Sequence, residues 1–136
     1  MKALFYFLIF GIVTFNTSCS KKDDTGYLNS DLEEITSLST FESSIKSGVS
    51  LVFFHATWCP KCAAQRPAVE GLLTEEKLNT VNFYQVNFEA QTSIVNNYDV
   101  VGFPTIVIFK NGSEVSRFEG QGNSQKTLSD KLVEFL

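Results

Sequence analysis

Apolar residues recur along this 136-residue chain in short runs broken by polar stretches, and most runs predict an element of regular structure. Residues 34–38 read as a first strand. Residues 40–47 read as a short helix, with Ser39 or Thr40 as the side-chain cap that favours a helix start. The run 51–55 is short and apolar, as a buried central strand should be. The Ala-containing stretch that follows is compatible with a helix from Cys59 to about Leu73. Pro67 falls inside that helix, where it removes a hydrogen bond and should kink it. Residues 81–88 predict another strand and 92–98 another helix. Strands over 105–110 and 114–118 are joined by Asn111-Gly112, a strong signal for a two-residue hairpin turn. Ser124 opens a last helix with Leu128, Leu132, Val133 and Leu136 as its apolar positions. The predicted class is α/β.

The N-terminal run has a different character. Lys2 is followed by residues 3–15, which are uncharged and overwhelmingly apolar. With one basic flank and well under the about 20 residues needed to cross a bilayer, this reads as a secretory signal peptide over residues 1–18. An uncleaved short anchor is the competing reading. Asn16-Thr17-Ser18-Cys19 follows at once and resembles a bacterial lipoprotein signal, in which the cysteine is acylated and becomes the mature N-terminus. Thr17 and Ser18 are suitably small, while Asn16 stands where leucine is usual. Acylation of Cys19 would account for the odd count of three cysteines, and several acyl chains anchor a protein stably where one does not. The alternative is a spare thiol beside an ordinary cleavage site. Residues 19–30 then form a polar, lipidated tether, and 31–136 a single folded domain. Lys21-Lys22-Asp23-Asp24 also resembles a signal for display on the outer cell surface, leaving the periplasmic face and the surface both open.

Composition narrows the function. A hydrophobic content of 43% with 13 Phe is ample for one core. A net charge of −4 and the lack of a Lys/Arg cluster argue against nucleic acid.

The chemistry resides in Trp58-Cys59-Pro60-Lys61-Cys62. Two cysteines at this spacing can share the first turn of a helix and form a disulfide. The first gains from the unpaired helix-start N–H groups, which favour a thiolate. A thiolate attacks disulfides, so the pair can cycle between dithiol and disulfide. Strand, C-x-x-C, helix is the context of a redox motif. A zinc site normally takes four ligands, and the chain offers only Cys19 and His55 besides the pair. No metal is expected. An inert structural pair is the remaining alternative.

The element order, with C-x-x-C opening the second helix, is similar to the thioredoxin family over about residues 31–136. The resemblance rests on Trp58-Cys59-x-x-Cys62, Pro67, Gly102-Phe103-Pro104-Thr105, the hairpin Phe109-Lys110-Asn111-Gly112, and Gly120. Ala56-Thr57-Trp58-Cys59-Pro60 resembles the membrane-tethered extracytoplasmic members more than the cytosolic ones. The resemblance implies a thioredoxin fold, a central mixed five-stranded sheet flanked by helices. It also implies a cis bond before Pro104 and a groove framed by Trp58, Phe103, Pro104 and Gly120. There the Phe103 backbone would pair with an extended substrate. Two positions depart from the family. Its buried Asp, six residues before the first active-site Cys, is Phe53 here, and the Lys that partners it is Gln85. Proton transfer for Cys62 would fall to water or to another carboxylate such as Glu89.

Cys59, expected to be exposed at the helix start, is the candidate nucleophile, and Cys62, more buried, the resolving thiol. Lys61 adds a cation that should stabilise the Cys59 thiolate, or else is a solvated surface residue. Pro60 and Lys61 between the cysteines also resemble the more oxidising members of the fold. Trp58 and Phe103 have core packing as their alternative, and His55 is either a tuner of Cys59 or structural. The expected function is extracytoplasmic thiol–disulfide oxidoreduction, whether reduction, formation or exchange. No cofactor is expected beyond the Cys59–Cys62 disulfide. The expected partners are protein thiols and disulfides, an unnamed electron donor or acceptor, and a bacterial membrane through the lipid. The expected state is a monomer. The alternatives are a soft-metal carrier holding Cu(I) between the two sulfurs, and a binding module of this fold with weak turnover.

Overall fold

A computed structural model describes residues 30–136; the expected signal peptide, Cys19 and nearly all of the expected tether lie outside the described residues. The fold is built on β2 (Val49–His55), buried along its whole length. Its neighbours are β3 (Val81–Asn87), which runs parallel to it, and β4 (Thr105–Lys110), which runs antiparallel. A two-residue strand, β1 (Glu33–Glu34), adds parallel to β3, and β5 (Ser113–Glu119) adds antiparallel to β4. The five-stranded order is β1-β3-β2-β4-β5.

Because side chains alternate across a strand, β2 feeds two cores. Leu51 and Phe53 join Ile106, Ile108, Val69, Leu72, Leu128 and Leu132 on one face. That face is covered by α2 (Pro60–Glu70) and α4 (Gln125–Val133). Val52 and Phe54 join Val107, Phe109, Phe41, Ile45, Ile94 and Val95 on the other face. There the cover is α1 (Leu38–Ile45) and α3 (Thr92–Asn97). Within this second core the Phe41 ring lies 4.5 Å from that of Tyr98 and meets Phe109 edge-on at 5.7 Å.

Several predicted boundaries move, each for a local reason. The first strand was expected over 34–38, but Ser37 accepts the Thr40 N–H at 3.1 Å and caps α1. Leu38 is thereby helical, and neither Ser39 nor Thr40 is the cap. β2 begins two residues before the apolar run, because the buried Ser50 pairs like its neighbours and turns its hydroxyl to the Ser44 carbonyl, 3.4 Å away. The helix expected to reach Leu73 ends at Glu70 and continues as a 3₁₀ turn, Gly71–Thr74. A side chain at Gly71 would collide with Gln125, whose amide donates to the Gly71 carbonyl at 3.0 Å and fixes α4 against this end of α2. In α4, capped by Ser124, Leu128 and Leu132 are buried, but Val133 and Leu136 are about half exposed. The helix ends at Val133, so Leu136 is off its period.

The hairpin turn is as its sequence predicts. Asn111 and Gly112 both take positive φ, 50° and 83°, the backbone of a tight turn that matches the strand twist. Asn111 also accepts the Gly48 N–H at 2.9 Å, tying the hairpin to the start of β2.

Phe41 is fully buried among aromatic neighbours. Phe41→Ala should cost about 3–5 kcal/mol in urea unfolding of the oxidised protein. A cost below about 1 kcal/mol would show that this packing does not hold α1 to the sheet.

His55, at the end of β2, is 2% exposed and stacks on Phe53 with ring centroids 5.7 Å apart. Burial, reinforced by the Arg66 charge and partly opposed by Glu89, pushes its imidazole down to about 4. The unfolded chain therefore takes up a proton below about pH 6.5 that the native state refuses until about pH 4. The contribution is present above pH 6.5, and stability falls as the pH drops through that window. Urea unfolding at stepped pH should show His55→Phe losing less stability than the wild type between these limits. Parallel profiles would refute the buried neutral imidazole.

Candidate active site

β2 ends at His55, and after a short turn Cys59 occupies the N-cap of α2. Pro60 takes the first helical position, where its missing N–H costs nothing and its fixed φ suits a helix. The Cys59 sulfur accepts the Cys62 N–H at 3.1 Å, as a serine or aspartate oxygen would in an ordinary cap. Cys59 and Cys62 form a disulfide, with Cα atoms 5.2 Å apart. Cys59 is not exposed as expected. It is 4% accessible against 0% for Cys62, because its sulfur is turned into the helix cap and bonded to a buried partner. The order of accessibility still favours Cys59. Lys61 is exposed on the first turn, and Trp58 stands 64% exposed immediately before the pair.

Strand register places the remaining groove residues. Thr105 pairs with Phe54, so Phe103 and Pro104 lie beside the end of β2 that leads to Cys59. The Phe103–Pro104 peptide bond is cis. Phe103 is half-buried, its ring 5.1 Å from that of Phe88, while Val101 in the same loop is 89% exposed. Gly120 has φ 76°, a conformation that favours glycine, and donates its N–H to the Pro104 carbonyl at 2.8 Å.

Two polar links that the sequence pattern did not reveal hold this arrangement. The buried Gln65 of α2 donates to the Asn123 carbonyl at 2.7 Å and accepts the Asn123 N–H at 3.0 Å. Asn123 in turn donates to the Gly120 carbonyl at 3.0 Å. A continuous chain of hydrogen bonds thus runs from the dithiol helix to the cis-proline loop. On the other side, Glu89 accepts both the backbone N–H and the hydroxyl of Thr57, at 2.8 and 2.7 Å. These bonds hold the Glu89 carboxyl below its ordinary pKa and pin the turn before Trp58. Glu89, considered above as a proton carrier for Cys62, is engaged with that turn. No sequence periodicity marks a side chain whose partner is a distant backbone group.

Beneath the dithiol, Phe53 and Gln85 are neighbours across β2 and β3. The Arg66 guanidinium, from α2, lies over the Phe53 ring at 5.1 Å and donates to the Gln85 side-chain oxygen at 2.8 Å. It also pairs with Glu70 at 3.3 Å. A cleft of about 360 Å³ opens nearby, lined by Ser30, Leu32, Glu34, His55, Thr57, Gln85 and Asn87; neither cysteine lines it. Among the described residues no group of three or more His, Cys, Asp or Glu side chains could hold a metal ion. The arrangement therefore presents one redox-active pair at a helix start, with apolar surface on either side of it.

A sequence model of the thioredoxin family matches residues 33–134. The thioredoxin of Chlamydia pneumoniae is 37% identical over 87 residues, which are 64% of this chain and 83% of the relative. Among solved structures, the thioredoxin of Malassezia sympodialis superposes with a TM-score of 0.68 at 26% identity, over 78% of this chain and 91% of its own. That of Fasciola hepatica gives 0.67 at 26% identity, over 77% and 100%. The chain belongs to the thioredoxin family and, through its Cys59–Cys62 pair, is a thiol–disulfide oxidoreductase.

Proposed function

We propose that the protein is an exported, lipid-anchored oxidoreductase that exchanges disulfides with other proteins outside the cytoplasm. The observation that carries the mechanism is the difference between the two cysteines: Cys59 is the helix cap and keeps 4% accessibility, and Cys62, within the first turn, has none. In the reducing direction the Cys59 thiolate attacks a substrate disulfide. It forms a mixed disulfide and releases one substrate thiolate. Cys62, as thiolate, then attacks the Cys59 sulfur, which forms the Cys59–Cys62 bond and releases the second substrate sulfur. Two electrons pass from the dithiol to the substrate. Run backwards, the same steps oxidise a substrate dithiol.

Exposed Trp58 and Val101 suit apolar contact with a protein segment, and the Phe103 backbone beside the cis bond suits pairing with an extended one. Lys61 favours the Cys59 thiolate, though its exposure lets solvent and salt screen the effect. The lipid anchor is supported by the sequence alone: an apolar run followed by Thr17-Ser18-Cys19 and a polar stretch. Export would place the dithiol where substrate disulfides persist.

In cells, Cys62→Ser should accumulate mixed disulfides through Cys59, seen as thiol-sensitive adducts on non-reducing gels. Cys59→Ser should accumulate few, and equal trapping by both would reverse the assignment. Metabolic labelling with a radioactive fatty acid should mark the wild type, and Cys19→Ala should lose both the label and the membrane association. Label retained on Cys19→Ala would end the lipoprotein reading.

A further inference from the structure

Cys62 presents a physical problem that the mechanism must solve. Burial without compensation favours the neutral thiol over the thiolate, yet resolution of the mixed disulfide requires the thiolate. Residues four apart on a helix share a face, with Cβ atoms about 5–6 Å apart, and the residue four after Cys62 is Arg66. Arg66 is 5% exposed. Its guanidinium cannot lose its proton in a protein, so it is a permanent positive charge beneath the pair.

We propose that Arg66 is a positioning residue for the redox couple, acting through the charge on Cys62: it stabilises the buried Cys62 thiolate and so favours resolution and, at pH values where Cys62 is ionised, the reduced form. Its surroundings hold the guanidinium in place. The Phe53 ring lies under it, and Gln85 supplies a neutral acceptor. Glu70 is a counter-charge within ion-pair distance, but its side chain is 32% exposed and also accepts from the Ser30 hydroxyl at 2.7 Å. The other charged or titratable groups around this region are Glu34 on β1, His55 on β2, and Glu89 after β3. The Arg66 field reaches the first two, lowering the pKa of each, although burial leaves Glu34 raised on balance. A charge felt at the end of β2 acts also on a sulfur one helical turn away, and burial shields it from the salt that screens Lys61.

The step balances without a further reactant. The Cys62 thiol gives its proton to water, and the thiolate attacks the Cys59 sulfur. The Cys59–substrate bond breaks as the Cys59–Cys62 bond forms, and the substrate sulfur leaves as a thiolate. This rests on Cys59 attacking and Cys62 resolving, which mixed-disulfide trapping tests separately.

The experiment isolates Cys62 in a Cys59→Ala background and follows its ionisation by thiolate ultraviolet absorbance. Adding Arg66→Met, which keeps apolar bulk and removes the charge, should raise the Cys62 pKa by about one unit. Arg66→Lys should restore most of that change. With both cysteines present, and at a pH above the Cys62 pKa of both proteins, Arg66→Met should shift the equilibrium with glutathione about tenfold towards the disulfide, or about 30 mV for a two-electron couple. Glu70→Gln removes the counter-charge at a partly exposed position and should move both readings the opposite way. A folded Arg66→Met protein with unchanged Cys62 ionisation and glutathione equilibrium would overturn the proposal. If Arg66→Met does not fold, a Glu70→Gln protein with both readings unchanged would overturn it. A role confined to packing would alter thermal stability and leave both readings where they are.

Discussion

Strand β2 is hydrogen-bonded on both edges, parallel to β3 and antiparallel to β4, and the site takes its geometry from that double pairing. The parallel register sets Phe53 beside Gln85, under the dithiol helix. The antiparallel register sets Thr105 beside Phe54, so the cis-proline loop arrives at the end of β2 that leads to Cys59. A strand buried on both faces cannot slip by one residue without exchanging its two cores, so these registers are strongly specified. The precision of the redox site is therefore a consequence of core packing at some distance from either sulfur.

Polar side chains complete what the strands begin. Glu89 holds the Thr57 turn from one side, and Gln65, through Asn123 and Gly120, holds the cis-proline loop from the other. Most of these links join a side chain to a backbone group, and the Gln65–Asn123 bond spans 58 residues of sequence. Hydrogen bonds of this kind are modest contributors to stability, about 0.5–1.5 kcal/mol net each. Their larger effect is to remove freedom from the two loops that must meet a substrate. Charge is arranged on the same plan, with Lys61 on the solvent side of the pair and Arg66 buried on the core side.

The fold was legible to the extent that local pattern determines it. The apolar run at β2, the Asn111-Gly112 turn, the Ser124 cap and the C-x-x-C between strand and helix each carry their meaning within a few residues, and each element is present. Failures came where a side chain competed with the pattern. Leu38 looks like the end of a strand until Ser37 claims the Thr40 N–H, and Ser50 looks like a break until its hydroxyl finds the Ser44 carbonyl. Val133 and Leu136 look like core, but Val133 is about half exposed on the last helical position and the helix end leaves Leu136 off its period.

By itself the sequence determined the chemistry. Two thiols at this spacing, with proline at the first helical position, suit a helix start and a redox couple, because cap geometry depends on adjacent residues alone. It also determined that Phe53 and Gln85 cannot titrate as an acid and a lysine would. Tertiary structure decided what fills that space instead. Arg66 reads in sequence as one more charged helical residue. Only the packing of α2 on β2 and β3 places its guanidinium over Phe53 and against Gln85, with Cys62 one turn above. The physical reason is that the strength of a charge depends on its surroundings: solvent and salt screen it at the surface, and the interior leaves it felt. Burial is a property of the whole fold, and no local stretch of sequence contains it.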